Sequence, residues 1–110
     1  MPINLLLVDD QPEVLDGLRM AFKRNDYNIL TAGSGEQAVQ ILNSESVDVV
    51  ITDLMMEGMD GMAVMRHALS LSPAPLVIIM TAYGTVESAV EALKEGAWDY
   101  LTKPVNVKEL

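Results

Sequence analysis

The sequence predicts an α/β fold in which five parallel strands form one sheet with helices on both faces. Short apolar runs alternate strictly with segments whose apolar residues recur at helical spacing. The first run, from Leu5 to Val8, is apolar at every position, as expected for a strand that is buried on both sides. Because strand–helix–strand units cross over in the right-handed sense, this alternation gives a parallel sheet between two layers of helices.

The strands are predicted from the apolar runs that lie between turn residues. They cover residues 5–8, 27–32, 47–52, 76–80 and 98–102. We expect the spatial order 2-1-3-4-5, which makes the fold flavodoxin-like and doubly wound. In that order the ligand crevice lies between the first and third strands, at the carboxyl edge of the sheet.

The first two helices are predicted from residues that favour helix starts. Pro12 fits a first turn, because its ring fixes φ and its missing amide hydrogen is not needed there. Ser34 and Gln37 have the spacing of a capping box, in which the serine hydroxyl accepts from the amide of residue 37. We expect a turn at residues 25–26 between the first helix and the second strand.

The third and fourth helices follow loops rich in glycine and proline. The third is predicted to begin after Gly61 and to run through about residue 71, before the prolines at 73 and 75. The fourth is predicted to end at Gly96, in a left-handed cap. Four residues of the fourth helix have the spacing of one buried apolar face: Val86, Ala89, Val90 and Leu93.

Composition and charge exclude several classes of function. The chain has 110 residues, half of them apolar, which suggests one globular domain over residues 1–110. It has no cysteine, which excludes disulfides and thiolate chemistry and fits the reducing cytoplasm where we expect the protein to act. The net charge of −9 argues against nucleic-acid binding by this domain. No apolar run approaches the roughly 20 residues that span a membrane.

Charged residues stand where three of the predicted strands end. Asp9 and Asp10 follow the first strand, Asp53 follows the third, and Lys103 follows the fifth. Since the carboxyl ends of parallel strands meet at one edge, we expect these carboxylates to face one crevice. Carboxylates that meet repel one another, and hard oxygen ligands suit Mg²⁺. A metal, a carboxylate and a lysine are together able to handle a phosphoryl group.

Each of these residues also has an ordinary structural interpretation. Asp9 and Asp10 could form a solvated turn, and Lys103 with Pro104 could be a simple strand exit rather than a lysine directed by a cis peptide. Thr81 could be a β-branched strand residue or a hydroxyl that donates to a phosphoryl oxygen. Tyr100 could be a core aromatic or a side chain with two rotamers, one turned inward.

A glycine-rich segment offers a competing interpretation. Residues 33–38, Gly-Ser-Gly-Glu-Gln-Ala, fit the dinucleotide fingerprint between a strand and a helix, and Asp53 follows about 20 residues later. The segment follows the second strand, however, whereas the fingerprint normally follows the first strand of its unit. A serine cap on the second helix accounts for the segment better.

Five separated motifs resemble the receiver domain of two-component response regulators. They are Leu-Val-Asp9-Asp10, Thr52-Asp53-Leu54-Met55-Met56, Gly58-Met59-Asp60-Gly61, Met80-Thr81-Ala82 and Lys103-Pro104. They occur in the family's order and cover nearly the whole chain. The segment from Thr81 to Pro104 is most similar to receivers of enhancer-binding (NtrC-like) transcriptional activators, which usually carry a central ATPase and a DNA-binding domain behind the receiver.

The resemblance implies a phosphorylation switch rather than an enzyme that turns over an external substrate. Asp53 would take a phosphoryl group from a phosphohistidine of a sensor histidine kinase. Mg²⁺ would be bound by Asp10, Asp53 and the backbone carbonyl of Met55, and by Asp9 at least through water. Lys103 and Thr81 would hold the phosphoryl oxygens. Thr81 and Tyr100 would then move together and change the surface that an output domain contacts.

Two alternatives and one departure stand beside this interpretation. A degenerate receiver would keep the fold as an unphosphorylated interaction module, and a metal-dependent phosphatase would place its nucleophile after the first strand. The phosphatase pattern usually has a second acid two positions on, where this chain has Gln11. The departure is Glu57, which stands where the family usually has proline and puts the rigidity of that loop in question.

The end of the chain suggests a longer parent protein. Residues 106–110 have the pattern of only the first turn of a fifth helix, which is too short to be stable alone. We therefore expect the last helix to be truncated and a further domain to follow in the parent chain. An apolar sheet face that this helix leaves uncovered would also favour a homodimer.

Overall fold

Strands and helices alternate along the whole of the described chain, as the sequence predicts. The computed structural model describes residues 3–23, 27–56, 58–82 and 86–102. Within these ranges the elements are β1 (Ile3–Val8), α1 (Pro12–Phe22), β2 (Tyr27–Ala32), α2 (Gly35–Ser44), β3 (Val49–Asp53), α3 (Gly61–Leu69), β4 (Leu76–Thr81), α4 (Val86–Glu95) and β5 (Asp99–Thr102). The expected turn at 25–26 and the truncated last helix lie outside the described residues.

All five strands pair in parallel in the order β2-β1-β3-β4-β5, which confirms the flavodoxin-like fold. The register places Val8 of β1 beside Ala32 of β2 and Thr52 of β3. Asp53 lies beside Met80 of β4. The carboxyl ends of the strands therefore meet along one edge of the sheet.

The sheet separates two apolar clusters, one on each face, because successive side chains of a strand point to opposite sides. Leu6, Val8 and Val50 belong to the cluster that packs under α2, α3 and α4. Leu5, Leu7 and Ile51 belong to the cluster under α1, together with Leu18 and Phe22 of that helix. The continuous apolar run of β1 is explained by this burial on both faces.

The helix starts follow the predicted capping chemistry. Pro12 occupies the first turn of α1. The Ser34 hydroxyl accepts from the amide of Gln37 at 3.1 Å, and the Gln37 side chain accepts from the amide of Gly33 at 2.7 Å. The reciprocal bond thus goes to the residue before the cap, so that the turn leading into α2 is also fixed.

Helix α4 does not bury the face that the sequence predicts. Of the four predicted residues, Ala89 is half-buried, whereas Val86, at 78 %, Val90 and Leu93 are exposed; the fully buried residue is Ala92. The side chain that packs inward is therefore small, which lets the helix lie close to the sheet. The predicted end at Gly96 is confirmed by its φ of +118°, which a residue with a side chain rarely adopts.

Several element boundaries also differ from the prediction by one or two residues. β1 begins at Ile3 and α3 at Gly61, both earlier than predicted, and β3 and β4 each end one residue later, at Asp53 and Thr81. The third strand begins at Val49, two residues later than predicted, and the Asp48 carboxylate before it accepts from the amide of Asn4 at 2.8 Å. The third helix ends at Leu69, where the amide of Ser70 already bonds back to the carbonyls of the last turn. The fifth strand begins at Asp99, one residue later than predicted. Among the described residues, no helix combines the length and apolar character needed to cross a membrane.

Two glycines should respond in opposite ways to alanine. A Cβ on Gly17 in α1 would meet nothing within 4 Å, whereas a Cβ on Gly61 would overlap the backbone of Asp53 and Leu54. Gly17→Ala should raise the free energy of unfolding by about 0.5–1 kcal/mol through helix propensity. Gly61→Ala should lower it by about 1–3 kcal/mol through overpacking. Urea unfolding checks both changes, and equal effects of the two variants would contradict the packing described for Gly61.

Candidate functional site

Three carboxylates meet at the carboxyl edge of the sheet. Asp9, Asp10 and Asp53 each offer an oxygen, and these oxygens all lie within 4.8 Å of one another. Asp9 is 0 % exposed and Asp53 is 6 % exposed, whereas Asp10 is exposed to solvent. The structure thus brings together the three acids that the sequence places at the ends of the first and third strands.

The backbone of the sheet sets the position of each buried carboxylate. The Asp9 amide continues the ladder by donating to the carbonyl of Ala32 at 3.1 Å, and its Oδ1 accepts from the amide of Gln11 at 2.9 Å. Asp53 is the last residue of β3 and pairs with Met80. Since β1 and β3 are neighbours, the two side chains leave adjacent strands at the same level.

The chemistry of this cluster favours a hard divalent cation. Two unit charges about 4 Å apart repel by about 4 kcal/mol at an effective dielectric constant of 20, and by about 1 kcal/mol in water. A divalent ion removes this repulsion, and a set of carboxylate oxygens is the donor type that Mg²⁺ and Ca²⁺ prefer. The cluster contains no histidine, and the sequence has no cysteine, so the site lacks the nitrogen and sulfur ligands that softer metals prefer.

The other predicted site residues lie on neighbouring strands or outside the described ranges. Thr81 ends β4, is 0 % exposed, and pairs with Thr102 of β5. Met55 lies two residues after Asp53, and its side chain is exposed between the buried Leu54 and the half-buried Met56. Lys103, Pro104 and Glu57 lie outside the described residues.

Tyr100 connects the last described strand to α4. Its ring is half-buried against the cluster under α2, α3 and α4. Its hydroxyl lies 2.7 Å from the Ser88 hydroxyl in the first turn of α4. Ser88 is not among the site residues predicted from the sequence. Its contact with Tyr100 depends on the packing of α4, for which the sequence pattern gives no signal.

Helix α4 is also tied to α3 by an exposed ion pair. The Arg66 guanidinium donates to both carboxylate oxygens of Glu95, at 2.7 and 3.0 Å. This hydrogen bonding raises the pKa of Arg66 and lowers the pKa of Glu95. The pair's stabilisation is therefore present above the ordinary pKa of glutamate and is lost as the pH falls through the lowered value. Because both groups are exposed, solvent keeps its contribution small.

The glycine-rich segment before α2 serves packing. A Cβ on Gly35 would lie 2.5 Å from the carbonyl oxygen of Met59 and 2.7 Å from its Cβ. Ser34 caps the helix, and the side-chain oxygen of Gln37 accepts a hydrogen bond from the amide of Gly33. The close approach of α2 to the β3–α3 connection therefore accounts for the glycine spacing without a dinucleotide.

Residues 5–110 match the response regulator receiver domain family. The chain belongs to this family. The receiver is similar to the transcriptional regulatory protein GlrR of Escherichia coli K12, with 43% identity over 105 residues. That alignment covers 96% of the chain and 24% of GlrR, so the chain spans about a quarter of this relative's length. The name of GlrR agrees with the resemblance to receivers of transcriptional activators.

Solved structures agree with the family. A response regulator receiver domain protein from Clostridium thermocellum superposes with a TM-score of 0.88 at 35% identity, covering 97% of this chain and 86% of the other. A response regulator from Burkholderia pseudomallei superposes with a TM-score of 0.90 at 27% identity, covering 97% and 63%. The family and fold inferred from the sequence motifs are thereby confirmed.

Removing one acid should stabilise the receiver in the absence of divalent ions. Asp10→Asn removes a charge from the carboxylate cluster, and the free energy of unfolding should rise by about 1 kcal/mol at low ionic strength. The rise should shrink in about 1 M salt, which screens the repulsion. Urea unfolding in a chelator checks this, with Asp16→Asn on the exposed face of α1 as the control. A loss of stability in Asp10→Asn would contradict repulsion within the cluster.

Proposed function

We propose that this receiver accepts a phosphoryl group on Asp53 from a phosphohistidine of a sensor histidine kinase. The observation that supports this most directly is the cluster of three carboxylates at the carboxyl edge of the sheet, with Asp53 almost buried within it. The similar structure from Burkholderia pseudomallei is described with a phosphorylated aspartic acid and a calcium ion. This chain carries the same type of residue at the end of its third strand.

The metal ion in the proposal is Mg²⁺, and the residues present fit it. Asp10, Asp53 and the backbone carbonyl of Met55 would hold the ion directly. One oxygen of Asp9 accepts from the Gln11 amide at 2.9 Å, and Asp9 would contact the ion at least through water. When bound, the ion would neutralise the charge that builds on the transferring oxygens.

The role of the protein in the transfer is to position a nucleophile and to hold the product. An Asp53 carboxylate oxygen attacks phosphorus, the bond from phosphorus to the histidine nitrogen breaks, and an acyl phosphate forms. The Thr81 hydroxyl and the Lys103 ammonium would then bind phosphoryl oxygens. The reaction consumes one phosphoryl group per chain, so the receiver acts as a switch and catalyses only its own phosphorylation and dephosphorylation.

Phosphorylation would shift the receiver between two conformations. In the arrangement described above, the Tyr100 hydroxyl is bonded to Ser88 of α4. A Thr81 side chain that moves toward the phosphoryl group would leave space for Tyr100 to turn inward. The bond to Ser88 would then break, and the contacts of α4 and β5 would change.

The wider context of the switch is part of the same proposal. We infer that the domain belongs to a longer regulator, since it corresponds to 24% of GlrR, and that its output controls transcription. The phosphorylated form would change contacts with this output domain or with a second copy of the receiver. A degenerate receiver is disfavoured, because Asp9, Asp10, Asp53, Thr81 and Lys103 are all present.

Acceptance of phosphate can be tested with a small phosphoryl donor. Incubation with acetyl phosphate and Mg²⁺ should add one phosphoryl group, seen in the intact mass. Asp53→Asn and a chelator should each abolish the adduct, since one removes the nucleophile and the other the ion. Asp16→Asn, which changes an exposed acid of α1, should retain it. A folded wild-type protein that gains no adduct would favour the degenerate module.

The role of Thr81 can be separated from the transfer itself. Thr81→Ala should still be phosphorylated on Asp53, because the nucleophile and the metal ligands remain. The amide chemical-shift changes that phosphorylation causes in α4 and β5 should decrease strongly, because the hydroxyl that responds to the phosphoryl group is missing. Thr102→Ala, at the exposed position paired with Thr81, is the matched control. Full shift changes in Thr81→Ala would exclude this role.

A further inference from the structure

An acid on α2 contacts the connection that follows Asp53. Glu36 lies in the first turn of α2, and its carboxylate accepts from the backbone amide of Met59 at 3.0 Å. The same carboxylate lies against Gly58, where a Cβ would fall 3.2 and 3.3 Å from its two oxygens. Glu36 is 23 residues before Met59 in the sequence, so this contact joins two separate parts of the chain.

Hydrogen bonds also hold the β3–α3 connection, residues 54–60, where it begins and where it meets α3. The amide of Gly61 donates to the carbonyl of Leu54 at 3.0 Å, and the Asp60 side chain caps α3 by accepting from Ala63 at 2.9 Å. Gly35 permits the close approach of α2 to Met59. Among the described residues, Glu36 thus adds a polar contact between α2 and this connection to the apolar packing of Met56 and Met59.

We propose that Glu36 is a positioning residue for the metal ion, acting through this connection. The inference rests on the proposed function, because Met55, whose backbone carbonyl would bind Mg²⁺, belongs to the segment between Leu54 and Gly61. A backbone carbonyl in this segment binds an ion well only if the segment is held in place. Groups that orient metal ligands without touching the metal commonly change its affinity by about 10–100-fold when removed.

The chemistry of Glu36 suits this role. A carboxylate that accepts from an amide makes a stronger hydrogen bond than a neutral acceptor does. Its place in the first turn of α2 is favourable, because the helix dipole stabilises negative charge there. Within the described residues, the carboxylate cluster consists of Asp9, Asp10 and Asp53 and does not include Glu36. Its effect on the ion is therefore through Met59.

The test is the Mg²⁺ affinity of the unphosphorylated chain, measured by titration calorimetry. Glu36→Ala should weaken the affinity by about tenfold, because the amide of Met59 loses its acceptor. Glu36→Gln keeps an oxygen acceptor and should bind Mg²⁺ within about twofold of the wild type, a change of about 0.4 kcal/mol. Glu45→Ala removes the same charge at the other end of α2 and should leave the affinity unchanged.

A second pair of variants tests the same contact from the backbone side. Gly35→Ala should also weaken Mg²⁺ binding, because the added Cβ displaces Met59. Gly17→Ala in α1 is the matched control, since its Cβ meets nothing. Thermal unfolding with and without Mg²⁺ supplies a further measurement. Glu36→Ala should reduce the increase in Tm that Mg²⁺ causes, whereas a purely structural role would lower both Tm values equally.

The outcomes distinguish this inference from the proposed function. If the wild-type chain does not bind Mg²⁺, the proposed function itself fails. If the wild type binds Mg²⁺ and Glu36→Ala binds it equally well, only the role of Glu36 is overturned. Equal weakening in Glu36→Ala and Glu36→Gln would also overturn it, because that result points to the charge of Glu36 acting directly on the ion.

Discussion

The arrangement of the site depends on the apolar packing of β1 and β3, which holds Asp9, Asp10 and Asp53 together against their mutual repulsion. These groups remain close because the strands that carry them cannot separate: β1 and β3 are buried on both faces and locked in register. Apolar packing thus holds a charge distribution that is unfavourable by itself. The fold therefore assembles the three carboxylates without the help of a bound ion.

Sequence patterns were sufficient for the parts of the molecule that depend on neighbouring residues. The apolar runs located the strands. Asp9 and Asp53 could then be placed at one edge, because the carboxyl ends of parallel strands all lie on the same side of a sheet. Side-chain hydrogen bonds between a helix and a distant segment are not indicated by any pattern in the sequence. The bond between Ser88 and Tyr100 and the bond between Glu36 and Met59 depend on how helices pack, which spacing alone does not specify. The position of Lys103 remains a prediction from its place after the fifth strand.

The error on α4 has a physical cause that applies to helices at the edge of a sheet. Apolar residues at helical spacing indicate a buried face only if large side chains are needed to fill the space beneath the helix. Here Ala92 fills it, and the larger residues Val86, Val90 and Leu93 remain on the outside. Within the described residues, polar contacts from Ser88 to Tyr100 and from Glu91 and Glu95 to Arg66 supplement this small apolar contact.

The thin attachment of α4 has a consequence for how the molecule opens. Within the described residues, Ala92 is the one fully buried side chain of α4, so we expect this helix to separate from the sheet at a lower cost than global unfolding. The central strands, which are buried on both faces, should open at a higher cost. Local opening of this receiver is therefore expected to begin at α4 and to leave the central strands paired.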